Sequence, residues 1–240
     1  MESTGNIHTA QLGFGGASPA GKRRLKDPGS AITHMVALAG AVVGTPALLV
    51  HTAQCGGGPA AMVGMAVFMA GMMLLYAASS TYHAVNSTPR VNAVLRRLDH
   101  MMIFILIAGS YTPICLLTLR GPVGQRLLAL VWGLAAVGIL VKAFWITSPK
   151  WFSSVIYIGM GWVCLLAMPQ LLANMPRPAF LWLLLGGIMY TVGGVIYALK
   201  LRVLNARFPN FGSHEVFHLF VMAGSACHYV VMFGYLALMG

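Results

Sequence analysis

Apolar residues in this chain come in long unbroken runs. They show neither the alternation of a half-buried strand nor the one-sided stripe of a soluble amphipathic helix. A hydrocarbon layer about 30 Å thick is crossed by a helix of roughly 20 apolar residues. Seven runs approach or reach that length, at 31–50, 60–83, 100–119, 125–146, 154–174, 179–199 and 214–238. Breaker-rich segments separate them: "HTAQCGGGP", "AVNSTPRVNAVLRRLD", "RGPVG", "TSPKWFS", "NMPRP" and "KLRVLNARFPNFGS". The pattern predicts an all-α integral membrane bundle of seven transmembrane helices over 27–240, after a flexible cytoplasmic tail of residues 1–26. Pro46, Pro113 and Pro169 fall inside runs and predict local kinks, tolerable where neighbouring helices satisfy the freed carbonyls. Small residues throughout the runs suit close helix packing.

Composition agrees: 58% of residues are hydrophobic and 8% charged, against about a quarter charged in a soluble domain. The opening "MESTGNIHTAQLGFGGASPAG" lacks both the charged start and the apolar centre of a secretory signal. A net charge of +11 invites a nucleic-acid reading, but the cations are scattered through loops and form no single patch. They sort by side instead. Lys22, Arg23, Arg24, Lys26, Arg90, Arg96, Arg97, Lys142, Lys150, Lys200, Arg202 and Arg207 fall on the side of the N-terminus, and only Arg120, Arg126 and Arg177 on the other. Twelve against three predicts a cytoplasmic N-terminus and an outside C-terminus. Of the four cysteines, Cys115, Cys164 and Cys227 lie in hydrophobic runs and Cys55 does not; with no C-x-x-C spacing, apolar filler is the expected role of those three.

Orientation gathers the polar residues of the runs at one depth. His83 ends the second run, Asp99 and His100 open the third, His214 and His218 open the seventh, and His34 lies near the start of the first. His214 and His218 are one helical turn apart, so their Cβ atoms lie about 5–6 Å from each other on one face. Two such nitrogens and a third from His83 make a His₃ set for zinc, with a fourth position open to water. The competing reading is interfacial histidines bonded to backbone or headgroups. "HEVFH" also fits the H-E-x-x-H string, but a zinc protease needs a third ligand downstream, and His228 sits in the membrane run. Asp99 reads either as a helix N-cap or ion-pair partner beside Arg96 and Arg97, or as a carboxylate acting on a metal-bound water. Ser79, one turn before His83, reads either as bonded back to its own helix or as facing that water or a substrate. His34, His100 and His228 are packing or supporting candidates; His8 and His51 look like ordinary loop residues.

"SSTYH", "LDHMMIFILIAGSYTP" and "HEVFHLFVMAGSACHY", in this order and on these helices, resemble the hemolysin III family, bacterial relatives of the adiponectin and progestin receptors. The resemblance covers the chain from about residue 25. It implies a multi-pass protein of the bacterial plasma membrane with zinc near the cytoplasmic face, held by His83, His214 and His218, with Asp99 and Ser79 beside it. The wider group is similar to alkaline ceramidases, which implies zinc-dependent cleavage of a lipid amide. One departure is visible. Many relatives carry a glutamate and an asparagine ahead of the first-helix histidine, where "RLKDPGSAITH" has Arg24 and Ser30, with Asp27 nearby as a partial substitute. The expected function is a zinc-dependent hydrolase of a membrane lipid, with no nucleic-acid partner. The alternatives are a non-enzymatic regulator or receptor, or a haemolytic pore, with zinc only pinning helices.

Overall fold

The computed structural model describes residues 25–199 and 212–239; the first 24 residues, with His8, and most of the last basic loop lie outside the described residues. Within them the chain is helical, with no strand. Helix α1 is Pro28–Gln54, α2 Pro59–Ala84 and α3 Pro89–Pro113, the last continuing through a π turn at Ile114–Thr118. Helix α4 is Gly121–Phe144. Helix α5, Lys150–Gly161, passes through a 3₁₀ stretch at Trp162–Ala167 into α6, Met168–Asn174. Helix α7 is Arg177–Leu199, and α8, Ser213–Gly234, ends in a 3₁₀ turn at Leu236–Met239. With α5 and α6 counted as one span, seven helical segments are long and apolar enough to cross a membrane.

Local chemistry explains the boundaries. Prolines occupy the first turn of α1, α2, α3, α4 and α6, where a missing N–H leaves no bond unmade. Gly56 and Gly121 take φ of 82° and 70°, and so serve the two tight turns that lead into α2 and α4. Pro113 marks the change from α to π geometry, and Pro169 follows the 3₁₀ stretch that breaks the fifth span. Helix α1 runs on through Pro46.

The third span corrects the sequence reading. Helix α3 begins at Pro89, not near residue 100, and the Thr88 side chain caps it by accepting from the Val91 N–H. Most of "AVNSTPRVNAVLRRLD" is therefore helix. Asp99 lies in the helix interior and is no N-cap. His51 likewise belongs to the last turn of α1, its ring stacked on Phe233 at 4.2 Å, and not to a loop.

Helices α2 and α3 approach closely. A Cβ on Gly71 would meet the Ile105 carbonyl at 3.1 Å, and one on Gly109 would meet that of Val67 at 3.1 Å. Met65, Phe68, Tyr76, Phe104 and Val131 fill the interior, while Val36, Val43, Leu140, Phe144 and Leu181 face outward. That outward apolar face suits lipid, which solvates it as well as protein does. Cys115 and Cys227 are buried and Cys164 half-buried, all as free thiols. At the corner between α4 and α5, the buried Lys142 ammonium donates to Ser148 Oγ at 2.6 Å and also to Ser153.

Candidate metal centre

Two helices bring three imidazoles to one end of the bundle. His83 comes from the last turn of α2; His214 and His218 come from the first two turns of α8. One ligand nitrogen from each lies within 4.8 Å of the other two, and the Nε2 atoms of His83 and His214 are 3.1 Å apart. The rings of His214 and His218 are centred 4.5 Å apart, as expected one turn apart on a helix. Three imidazoles this close can hold a metal ion.

The surroundings fix which nitrogen points inward. Asp27 accepts at 2.9 Å from His83 Nδ1, while its own backbone N–H donates to the His83 carbonyl at 2.9 Å. A proton held on Nδ1 leaves the Nε2 lone pair free for a cation, the usual role of a carboxylate behind a ligating histidine. Thr33 Oγ1 lies 3.4 Å from His218 Nδ1, which leaves that ring's Nε2 for the cluster. His34 stacks on His218 with centroids 3.7 Å apart and planes 7° from parallel. Glu215 is turned away from the three rings: it accepts from Ser30 Oγ at 2.6 Å and from the Gly212 N–H at 2.8 Å, tying the start of α8 to the start of α1. Asp27 and Ser30 thus join the start of α1 to the end of α2 and the start of α8. Thr33 was missed in the sequence because a threonine beside a histidine carries no spacing signal.

A cavity of about 150 Å³ opens from this cluster along the bundle. At the histidine end it is lined by His34, Ser79, Asp99, His100, His214 and His218. At the far end Leu119, Leu127, Leu171 and Phe180 line it, and apolar side chains dominate the wall throughout. The Ser79 hydroxyl is fully buried and is not bonded back to its own helix; its side chain interacts with the Asp99 carboxylate instead. His100 Nδ1 donates to the Arg96 carbonyl at 2.9 Å and also lies 3.4 Å from the Asp99 carboxylate, which forms no ion pair with Arg96 or Arg97. His100 in turn reaches α7, its Nε2 3.4 Å from the Tyr197 hydroxyl. The structure thus brings His83, His214 and His218 together and places Ser79 and Asp99 in the wall of the adjoining cavity. His228 lines the same cavity ten residues further along α8.

A heptahelical membrane protein with a three-histidine cluster at one end of an apolar cavity is the class these features define. The chain belongs to the Haemolysin-III related family, whose model matches residues 22–229. It is 39% identical to Hemolysin-3 of Bacillus cereus, over 82% of this chain and 85% of that one. It is 35% identical to the Hemolysin-3 homolog of Bacillus subtilis (strain 168), over 86% and 92%. It is also 30% identical to Heptahelical transmembrane protein 5 of Arabidopsis thaliana, over 68% of this chain and 47% of that protein. It is a multi-pass protein of the bacterial plasma membrane.

Proposed function

We propose that the chain is a zinc-dependent hydrolase that cleaves an amide, as in ceramide, or a related bond of a membrane lipid. The observation that carries this reading is the meeting of the three imidazoles with the buried Asp99 carboxylate and the buried Ser79 hydroxyl at one end of an apolar cavity. Zinc bound by His83, His214 and His218 would supply a water of lowered pKa and polarise the scissile carbonyl.

The chain's own residues supply the rest. The apolar wall takes a hydrocarbon chain and keeps bulk water from the histidine end, which strengthens every polar interaction there. Asp99, as general base, accepts a proton from the attacking water and passes it to the amide nitrogen as the C–N bond breaks. Ser79 donates to the oxygen that gains charge, a task suited to a buried hydroxyl in the cavity wall that is not bonded back to its own helix. With the N-terminus in the cytoplasm, the reacting end lies at the inner leaflet.

The test is Asp99→Asn in detergent-purified protein. Zinc content should stay at the wild-type level, while release of fatty acid from ceramide falls by about two orders of magnitude or more, the usual contribution of a general base. Wild-type turnover in that variant would remove Asp99 from the chemistry. Bound zinc without turnover by the wild-type protein would point to a regulator with a structural metal.

A further inference from the structure

Deeper in the bundle, a second group of polar side chains borders the same cavity, away from the metal centre. Tyr76 of α2 donates its hydroxyl to Ser225 Oγ at 2.7 Å, and the Tyr190 hydroxyl of α7 lies 2.9 Å from the same oxygen. Ser225 therefore ties three helices together. Beside it the His228 ring packs edge-on against Tyr190, with centroids 5.3 Å apart.

His228 is only 7% exposed and lines the cavity, yet neither ring nitrogen completes a hydrogen bond among the described residues. The Leu183 carbonyl approaches the ring. A carbonyl can only accept, so it engages at most the nitrogen that carries the proton. The other nitrogen of a neutral imidazole is an acceptor with no donor before it. An imidazole left in that state at membrane depth is costly.

The backbone makes room for this arrangement. A Cβ on Gly186 would fall 2.4 Å from His228 Cδ2, and one on Gly224 would fall 2.8 Å from the Tyr190 ring. Two glycines on facing helices thus keep the space that the two rings occupy. Nothing in the metal centre requires either ring.

We propose that His228 is a second polar station of the cavity, one that binds a hydroxyl borne partway along the chain of a lipid whose polar end lies at the histidine cluster. A hydroxyl donates to the bare nitrogen, which a keto or ester oxygen cannot do. His228 follows His218 by ten residues, so the two stations are roughly 15 Å apart along the axis of α8. The preferred ligand is therefore a mid-chain hydroxylated acyl chain. The inference rests on a lipid chain occupying the cavity, as the proposed function has it, but not on hydrolysis.

The experiment measures binding of ricinoleate and oleate, which differ by one mid-chain hydroxyl, to the purified full-length protein in detergent, with and without chelator. Ricinoleate should bind about threefold to tenfold more tightly, as one net hydrogen bond allows, whether or not metal is present. In His228→Leu that preference should vanish while oleate affinity holds, which also shows that the variant is folded. Gly186→Ala, which drives a methyl into the ring's place, should remove it in the same way. Equal wild-type affinities, or a preference that survives in His228→Leu, would overturn the station and leave the hydrolase reading standing. Failure to bind either fatty acid would overturn both. Discrimination without any ceramide cleavage would sink only the hydrolase.

Discussion

His83 shows how one residue becomes a candidate ligand through its neighbour. Its Nδ1 is held by the Asp27 carboxylate at 2.9 Å, and the same aspartate grips the His83 carbonyl through its backbone N–H. Removing the carboxylate frees the ring to turn and lets the proton move to the nitrogen that faces the cluster. Asp27→Ala should therefore lower zinc affinity by about tenfold to a hundredfold with the fold intact, read by competition against a chromophoric chelator. Unchanged affinity would leave Asp27 as a link between α1 and α2 and nothing more. An imidazole ligates metal through a lone pair that protonation removes, so zinc held by the proposed centre should be lost as the pH falls. Metal analysis after dialysis at stepped pH follows that loss. His83, His214 and His218 could be picked from the sequence because one is a turn from another and the third falls at their depth. The partners behind them were harder to see. Asp27 was readable only as a substitute for a missing acid, and the link between Ser30 and Glu215 joins residues 185 positions apart.

At the scale of elements, hydropathy located the seven spans because lipid selects for composition, and their outer limits differ from the runs by a few residues in most cases. It failed where a helix leaves the apolar layer. Helix α3 continues some ten residues beyond the point where its sequence turns polar, and Thr88 with Pro89 was the start signal that mattered. That error turned Asp99 from an interior side chain into an apparent cap. Close packing was expected from the small residues, but which glycines serve it was invisible in the sequence, since each glycine looks alike there. A Cβ on Gly124 of α4 would lie 2.3 Å from the Cys115 carbonyl, whereas one on Gly133 of the same helix would meet nothing within 4 Å. Gly124→Ala should therefore cost about 1–3 kcal/mol, as overpacking does. Gly133→Ala should be neutral or slightly stabilising, because alanine restricts the unfolded chain. Thermal unfolding of the two variants in the same detergent compares them directly, and an equal loss would show that α4 does not pack against the π turn as described.

The whole molecule is polarised along its axis. Among the described residues, His34, His83, His100, His214, His218 and the Asp99 carboxylate gather at the end where α2 finishes and α3 and α8 begin, while the far end of the cavity is apolar. A hydrated path for ions would need polar lining over the full depth, and this cavity has it at one end, with Tyr190 and His228 further in. Proteoliposomes containing the protein should accordingly show no ion flux above that of lipid alone. The same polarity makes orientation testable. Lys and Arg near the ends of spans hold a loop in the cytoplasm, and the twelve-to-three division of these residues predicts that the start of α1 and the histidine cluster face the inner side. Alkaline phosphatase folds only after export, so a fusion at the C-terminus should be active and one in the loop between α2 and α3 inactive. The reverse pattern would move the cluster to the outer leaflet. A substrate would then have to come from that leaflet, and the charge argument would fail while the geometry of the site stayed unchanged.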